Sequence, residues 1–155
     1  MDNPPAQQIK EIIMEILNQM EVSATVEIEE AVNDEFLFNI HTDETQVVIG
    51  RQGVNLHALQ LIVTQIALRR MGYGNVPRFS LDVDDYQKKR IWFIKEMAKG
   101  AAEKVKKFGQ TVTMEPMPNY ERKVVHSYIQ ENFPEIESFS TGDGPERKVV
   151  IEIRK

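Results

Sequence analysis

The stretch Val47-Val48-Ile49-Gly50-Arg51-Gln52-Gly53, continued by VNLHALQLIVTQIALRRM over residues 54–71, decides how the first half of the chain folds. Apolar residues recur in it at helical spacing and predict one buried helix face; they are Leu56, Leu59, Val63, Ile66 and Ala67. The two glycines let another backbone come close, because glycine has no Cβ. Backbone N–H groups and the positive end of the helix favour a phosphate there. A turn with no ligand is the alternative that this short motif leaves open.

The composition bounds the class of protein. The chain has 155 residues, of which 41% are hydrophobic and 28% charged, and this fits one ordinary domain or two small ones. It has no cysteine, which excludes disulfides and thiolate metal sites, and only three histidines. We therefore predict no metal and no cofactor. Because no apolar stretch has the length of a membrane span and the N-terminus lacks a secretory pattern, we predict no membrane insertion.

The charge is distributed unevenly along the chain. Residues 1–85 contain five Lys and Arg against fourteen Asp and Glu, a balance of −9. Residues 86–155 contain fourteen against ten, a balance of +4. Such an asymmetry indicates two units with different surfaces. We place the domain boundary where the sign changes, near residues 84–86, which predicts one domain over 1–84 and a second over 85–155.

The other patterns of the first half predict a helix, three strands and a short helix. Asn3 before two prolines marks a helix start, and the apolar positions that follow are Ile9, Ile12, Ile13, Ile16, Leu17 and Met20. Alternation over 24–29 and 36–40 predicts two antiparallel strands joined by a turn at Asn33–Asp34. A short helix over 43–49 precedes the glycines, the helix over 54–71 ends at Gly72 and Gly74, and residues 79–83 alternate as a third strand.

The resulting order is helix, strand, strand, short helix, G-x-x-G loop, long helix, strand. It resembles the prokaryotic arrangement of the KH domain over about residues 5–84, and the G-x-x-G loop of a KH domain clamps a nucleic-acid backbone. The resemblance implies that Gly50, Arg51, Gln52 and Gly53 contact nucleic acid. Because Arg51 is the only cation of the loop and the half around it is acidic, the sequence leaves open whether this half binds RNA or a protein.

The second half predicts two helices and a small set of strands. The helix predicted over 86–108 has a buried face formed by Ile94, Met97, Ala98, Ala101, Val105 and Phe108. Val112 and Met114 indicate a short strand, and Asn119 is a good N-cap for a helix that ends near Asn132. The turn at 142–145 joins two further strands, and the second of these places Val149, Ile151 and Ile153 on one face.

Arg122 and His126 form the second candidate site. They are four residues apart near the start of the predicted helix 119–132, so they share one helix face. An arginine can bind phosphate through two parallel hydrogen bonds, and a histidine can donate a hydrogen bond or stack on a base. A surface arginine and a histidine bonded to neighbouring backbone are the alternative.

The residues around this pair carry a family resemblance. MEPMPNYERKVVH over 114–126 resembles the R-x-x-x-H motif of a small nucleic-acid-binding domain, and STGDGPERKVVI over 140–151 is similar to the closing hairpin of that domain. A KH domain followed directly by an R-x-x-x-H domain resembles the bacterial Jag family of SpoIIIJ-associated proteins, also called the KhpB or EloR family. The resemblance covers nearly the whole chain. It implies an α+β fold of two small domains, the second with helices packed on a small sheet.

The resemblance also implies a function. It implies a cytoplasmic protein that binds single-stranded RNA, with single-stranded DNA left open, and that acts as a post-transcriptional regulator linked to cell elongation or division. It further implies a heterodimer with a small stand-alone KH protein. Many family members carry an N-terminal Jag domain and a linker, whereas this chain starts almost at the KH helix. Roles that depend on that part are therefore not carried over.

Helix 86–108 carries a basic stripe that neither motif includes. Lys88, Lys95, Lys99 and Lys106 fall on one narrow line of the helix, and Trp92 lies beside that line. We predict a track that follows an RNA backbone, with one aromatic ring on which a base stacks. A solvated lysine face with Trp92 packed against the first half is the alternative.

Three functions follow from these patterns. The first is binding of single-stranded RNA through the 50–53 loop, Arg122, His126 and the basic helix. The second is a protein–protein adaptor whose acidic KH half docks a partner, with weak nucleic-acid binding. The third is an RNA-processing enzyme, but no Ser/His/Asp set, phosphate loop or paired-acid pattern stands out, so we predict no enzyme.

Overall fold

The computed structural model describes residues 3–31 and 35–155, and the turn predicted at Asn33–Asp34 lies outside them. The chain divides into two compact units, unit 1 over Met1–Gln87 and unit 2 over Lys88–Lys155. Helices and three-stranded sheets together confirm the predicted α+β class. In chain order the elements are α1 (Pro4–Gln19), β1 (Thr25–Ala31), β2 (Glu35–His41), α2 (Thr45–Ile49), α3 (Val54–Met71), β3 (Arg78–Val83), α4 (Tyr86–Phe108), β4 (Val112–Thr113), α5 (Asn119–Asn132), β5 (Ile136–Thr141) and β6 (Lys148–Ile153), with short 3-10 turns at Arg51–Gly53 and Gly144–Glu146.

Helix α1 begins where the sequence predicts it. The side chain of Asn3 accepts a hydrogen bond from the backbone N–H of Ala6 at 3.2 Å, which satisfies one of the helix's unpaired donors. Prolines occupy the first turn, where a missing N–H leaves no helix bond unmade. Met20 follows the final turn and is 42% exposed, so the apolar face of α1 is buried only as far as Leu17.

The sheet of unit 1 has the order β1-β2-β3. Strand β1 is antiparallel to β2, as predicted, and β2 is parallel to β3. Phe38 and Ile40 of β2 are fully buried on one face, and the Phe38 ring meets Phe79 of β3 edge-on with ring centroids 5.8 Å apart. Parallel strands need a crossover connection. Here α2, the glycine loop and α3 form that connection, and this places the loop after the carboxyl end of β2.

Helix α3 is apolar on two sides. The predicted face is buried at Leu56, Leu59, Val63 and Ala67 and half-buried at Ile66. On the other side Val54, Leu61 and Ile62 are 60%, 61% and 49% exposed. The helical spacing predicted only the first side, although the apolar residues of the second side are visible in the sequence.

His41 ends β2 and interacts with two carboxylates. Its Nδ1 lies 2.8 Å from Oδ1 of Asp84, and its Nε2 lies 3.3 Å from Oε2 of Glu27. Asp84, helped by Glu27, raises the pKa of His41 above its ordinary value. Asp84 and Asp85 both adopt positive φ, 47° and 59°, between β3 and α4. Because residues other than glycine rarely take this conformation, the bond from His41 helps to hold the turn.

The sheet of unit 2 has the order β4-β6-β5 and is antiparallel throughout. Helices packed on this small sheet confirm the predicted arrangement of the second domain. Its core consists of Ile94, Ala98, Ala101, Ala102, Val105, Met114, Met117, Val125, Ile129, Ile136, Val149 and Ile151. Phe108 is 62% exposed and Ile153 is 46% exposed. The prediction of Phe108 as buried was wrong, because α4 ends at this residue.

Helix α5 begins at Asn119 and ends at Asn132. The residue before its first turn is Pro118, so the prediction of Asn119 as the N-cap was wrong by one position. The side-chain oxygen of Asn119 instead accepts a hydrogen bond from Nη2 of Arg122 at 3.2 Å. The predicted end of the helix is confirmed.

Candidate nucleic-acid interface

The glycine loop is a tight turn between α2 and α3. Gly50 and Gly53 have φ of +71° and +81°, and Gln52 has φ of +54°. The N–H of Gly50 donates to the carbonyl of Gln46 at 2.9 Å, and the N–H of Gly53 donates to the carbonyl of Gly50 at 3.3 Å. These two amides are used within the chain. Arg51, at the tip of the loop, is exposed to solvent.

Side chains of this chain occupy the space beside both glycines. A Cβ added at Gly50 would lie 2.5 Å from Cγ of Asn55, and one added at Gly53 would lie 3.1 Å from Cε1 of Tyr86. Asn55 is held in place because its Nδ2 donates to the carbonyl of Val47 at 2.8 Å. This crowding and the positive φ at both positions favour glycine for reasons internal to the fold, beside the close approach of a ligand that the sequence predicts.

His57 lies one turn into α3, beside the loop. Its Nδ1 is 2.8 Å from the carbonyl oxygen of Gly53. Because a carbonyl only accepts hydrogen bonds, Nδ1 carries the proton in this contact. The side chain is exposed.

Arg122 is held in a fixed orientation at the start of α5. Its Nη1 donates to the carbonyl of Met117 at 2.8 Å, and its Nη2 donates to Asn119. The side chain is half-buried. A guanidinium has five N–H donors in a planar fork, so these two bonds leave others for a ligand. The predicted orientation on one face with His126 follows from the helix spacing.

His126 bridges α5 and β5 through two serine hydroxyls. Its Nδ1 lies 2.8 Å from Oγ of Ser138, and its Nε2 lies 2.9 Å from Oγ of Ser140. Burial lowers the pKa of His126, and the positive charge of Arg122 lowers it further. The ring is therefore neutral near pH 7, with one nitrogen donating and the other accepting. Sequence reasoning missed both serines, although their spacing of two places them on one strand face.

A buried ion pair fixes the start of α5 beside this site. Nε and Nη2 of Arg90, on α4, donate to the two carboxylate oxygens of Glu121 at 2.8 and 3.0 Å. The hydroxyl of Tyr120 donates to the same carboxylate at 3.1 Å. Glu121 is only 1% exposed. No sequence motif indicates this pair, because its members are far apart in the chain and each resembles an ordinary surface charge.

The basic stripe of α4 is only partly open to a ligand. Lys88, Lys95 and Lys99 are exposed, and Trp92 is 63% exposed. Lys106 instead forms an ion pair with Glu135, with Nζ 2.6 Å from Oε1. Lys95 also lines a groove of about 300 Å³ between α4 and α5. Its other lining residues are Ile91, Lys123, Val124, Ser127, Tyr128 and Glu131.

Comparison with known proteins decides the family. Residues 6–74 match the KhpA/KhpB KH domain, and residues 93–152 match the domain that is named after the R-x-x-x-H motif. The chain is 32% identical over 143 residues to the RNA-binding protein KhpB of Lactiplantibacillus plantarum, a match that covers 92% of this chain and 43% of that protein. It is 29% identical over 148 residues to the RNA-binding protein KhpB of Bacillus subtilis, a match that covers 95% of this chain and 70% of that protein.

The chain is a KhpB/Jag-type protein. A third relative, the RNA-binding protein KhpB of Clostridium symbiosum, is 27% identical over 146 residues, 94% of this chain and 64% of its own length. This chain thus spans less than half the length of the Lactiplantibacillus plantarum protein and about two thirds the length of the Clostridium symbiosum protein. Within residues 3–31 and 35–155, no helix is long and apolar enough to cross a membrane.

The two domain matches include most of the candidate residues of this KhpB/Jag-type chain. The glycine loop lies within residues 6–74, and Arg122 and His126 lie within residues 93–152. Lys88, Trp92 and Tyr86 lie between the two matched ranges. Their roles therefore have to be argued from the contacts that each side chain makes.

Proposed function

We propose that this chain binds single-stranded RNA, with the Arg122–His126 site as the main contact and the glycine loop as a second contact. The observation that carries the proposal is the arrangement on α5 and β5. There an oriented guanidinium and a neutral imidazole, bonded to the hydroxyls of Ser138 and Ser140, are only half-buried. The relatives named RNA-binding protein KhpB support RNA as the ligand.

The groups of this site match the chemistry of an RNA strand. The planar guanidinium of Arg122 suits a phosphate. A neutral His126 and the serine hydroxyls can both donate and accept, and the 2′-hydroxyl of RNA also donates and accepts. We therefore expect Arg122 to contribute a salt-dependent part of the affinity and His126 a part that depends little on salt.

Replacing Arg122 with Ala tests the main contact. We expect weaker binding of a short RNA strand and a slope of log affinity against log salt that falls by about 0.7, the value for one lost phosphate contact on a single strand. His126→Ala should weaken binding less near neutral pH and leave the slope unchanged. Arg154→Ala removes the same charge from an exposed residue after β6 and is the matched control. Equal slopes for the two arginine variants would contradict the assignment.

The glycine loop needs a test that spares its backbone. Gly50→Asp with Gly53→Asp should weaken RNA binding, but both positions have positive φ and crowded Cβ sites, so this pair also disturbs the loop. Arg51→Gln leaves the glycines in place and removes the exposed charge at the tip. We expect it to weaken binding, whereas Arg69→Gln, at an exposed position near the other end of α3, should not. Unchanged affinity for Arg51→Gln would remove the tip cation from the interface.

The basic stripe of α4 contributes a third contact in this proposal. Replacing Lys95 and Lys99 with Gln should weaken binding and flatten the salt plot, because each phosphate contact releases counterions. Trp92→Ala should remove stacking, about 1–3 kcal/mol per base, with little change in slope. Lys104→Gln, at an exposed position of α4 on the other side from the stripe, is the internal control. Trp92 is the only tryptophan, and unquenched fluorescence on adding RNA would argue against stacking there.

A second candidate function is docking of a protein partner on α3. The exposed apolar side of this helix, with Val54, Leu61 and Ile62, favours it. We propose that this side pairs with a small stand-alone KH protein, the partner that the family resemblance implies. Leu61→Lys should abolish such a complex, whereas Tyr73→Lys, at a residue that is 84% exposed, should not. An apolar interface should persist at high salt, where phosphate contacts weaken.

The broader role is also a proposal and rests on the family resemblance. We place the protein in the cytoplasm, with domains over 1–84 and 85–155, a function in binding rather than catalysis, and a link to cell elongation or division. Cell fractionation tests the location, and limited proteolysis tests the boundary. Cleavage of RNA by the pure protein with a divalent metal would contradict a purely binding role. Unchanged cell length after deletion of the gene would contradict the link to elongation.

A further inference from the structure

A pocket of about 420 Å³ opens beside the glycine loop. Helix α2, the loop and the first residue of α4 enclose it. Its lining residues are Thr45, Gln46, Ile49, Gly50, Arg51 and Tyr86. The volume lies in the range of small-molecule sites, so one nucleotide of a strand fits in it.

We infer that this pocket holds one nucleotide of the bound RNA, with its base stacked on the ring of Tyr86 and its phosphate near Arg51. The inference rests on the proposed RNA-binding function. Ile49 and Tyr86 offer half-buried apolar surface to a base. The polar side chains of Thr45 and Gln46 can hydrogen-bond to the edge of a base. Arg51 supplies the positive charge at the side of the pocket that the loop forms.

The ring of Tyr86 lies directly against the glycine loop. The position of a Cβ at Gly53 lies 3.1 Å from Cε1 and 3.4 Å from the hydroxyl oxygen of Tyr86. A Cβ at residue 53 would push the ring by a few tenths of an ångström, so glycine lets the ring lie against the loop backbone, where a bound strand would pass. An aromatic platform of this kind accepts every base, because each base has a π-face.

Tyr86 is not part of either matched domain. The KH match ends at residue 74, and the match to the R-x-x-x-H domain begins at residue 93. A stacking role of Tyr86 is therefore not part of what either domain match describes. The competing explanation is that Tyr86 only packs against the core of unit 1, which it borders. A test must then separate stacking from packing.

The test combines Tyr86 variants with RNA strands that lack one base. Tyr86→Phe keeps the ring and should bind like the parent, whereas Tyr86→Leu keeps apolar packing without a π-face and should bind about tenfold more weakly. Tyr73→Leu is the matched control in the same unit. An abasic site is moved along the strand one position at a time. When the abasic site is at the position that meets Tyr86, the parent and Tyr86→Leu should bind with equal affinity, because there is no base left to stack.

Two results would overturn the inference. A penalty of Tyr86→Leu that persists for every abasic strand would show that the ring acts through packing on Gly53. Parent-like affinity for Tyr86→Leu, with weaker binding for Arg122→Ala, would exclude the pocket and leave the proposed function intact. If the parent itself does not bind RNA, the proposed function fails, and the pocket with it.

A second measurement uses the unaltered protein and does not depend on how the variants fold. RNA that carries 5-iodouridine at single positions is irradiated in complex with the full chain, and the adducts are mapped by mass spectrometry. We expect an adduct on Tyr86 from one position of the strand. Adducts confined to other residues, at all positions of the iodinated base, would overturn the inference.

Discussion

Replacing Arg90 with Met should destabilise unit 2 more than any surface substitution. The change removes both guanidinium bonds, 2.8 and 3.0 Å, from a carboxylate that is 1% exposed, and it keeps an unbranched side chain. Removing one partner of a buried ion pair costs about 3–5 kcal/mol. Because the side chain of Arg90 is 16% exposed and Tyr120 still donates to the carboxylate, we expect the lower end of this range, a loss of about 3 kcal/mol in the free energy of unfolding. For a unit of this size that lowers the melting temperature by roughly 12–24 °C.

Hydrogen exchange on the full chain measures this effect, with unit 1 as the reference in the same molecule. Protection of core amides in unit 2, such as that of Ile129, should fall, whereas that of Phe38 in unit 1 should remain. The double variant Arg90→Met with Glu121→Leu removes both charges and should recover most of the loss, since apolar replacements of buried ion pairs are often neutral. A loss below about 1 kcal/mol for Arg90→Met, or a double variant as unstable as the sum of the single changes, would refute the reasoning.

Three further predictions concern titration and the first helix. The pKa of His41, followed by NMR, should lie above its ordinary value and fall in Asp84→Asn, and an unchanged pKa in that variant would contradict the contact. The stability that the contact contributes is present below pH 6.5 and is lost as the pH rises through the folded-state pKa. The pKa of His126 should lie below 6.5 and rise only partly in Arg122→Ala, because burial is the larger cause. Stability should therefore fall as the pH drops below 6.5, where the unfolded chain takes up the proton more readily, and a flat stability profile there would contradict this. Asn3→Ala should cost about 1 kcal/mol in denaturant unfolding, whereas Asn3→Asp, which keeps an N-cap oxygen, should not.

Residues close together in the sequence were predicted well. The bounds of α3 agree with the predicted helix over 54–71, because its apolar spacing and the glycines on both sides are local signals. The start of α1 follows from Asn3 and two prolines, and β1 and β2 follow from alternation. The error in burial at Phe108 concerns the end of a helix, where spacing alone does not show whether the core continues.

The sequence by itself determined the identity and spacing of the motif residues. A G-x-x-G loop before a helix, and an arginine and a histidine four residues apart, keep their relation in any fold that makes those segments helical. The tertiary structure alone decided which distant side chains meet them. It placed Tyr86 against Gly53, Ser138 and Ser140 against His126, and Glu135 against Lys106. Such contacts depend on strand pairing and helix packing between segments far apart in the chain, and local spacing carries no information about either.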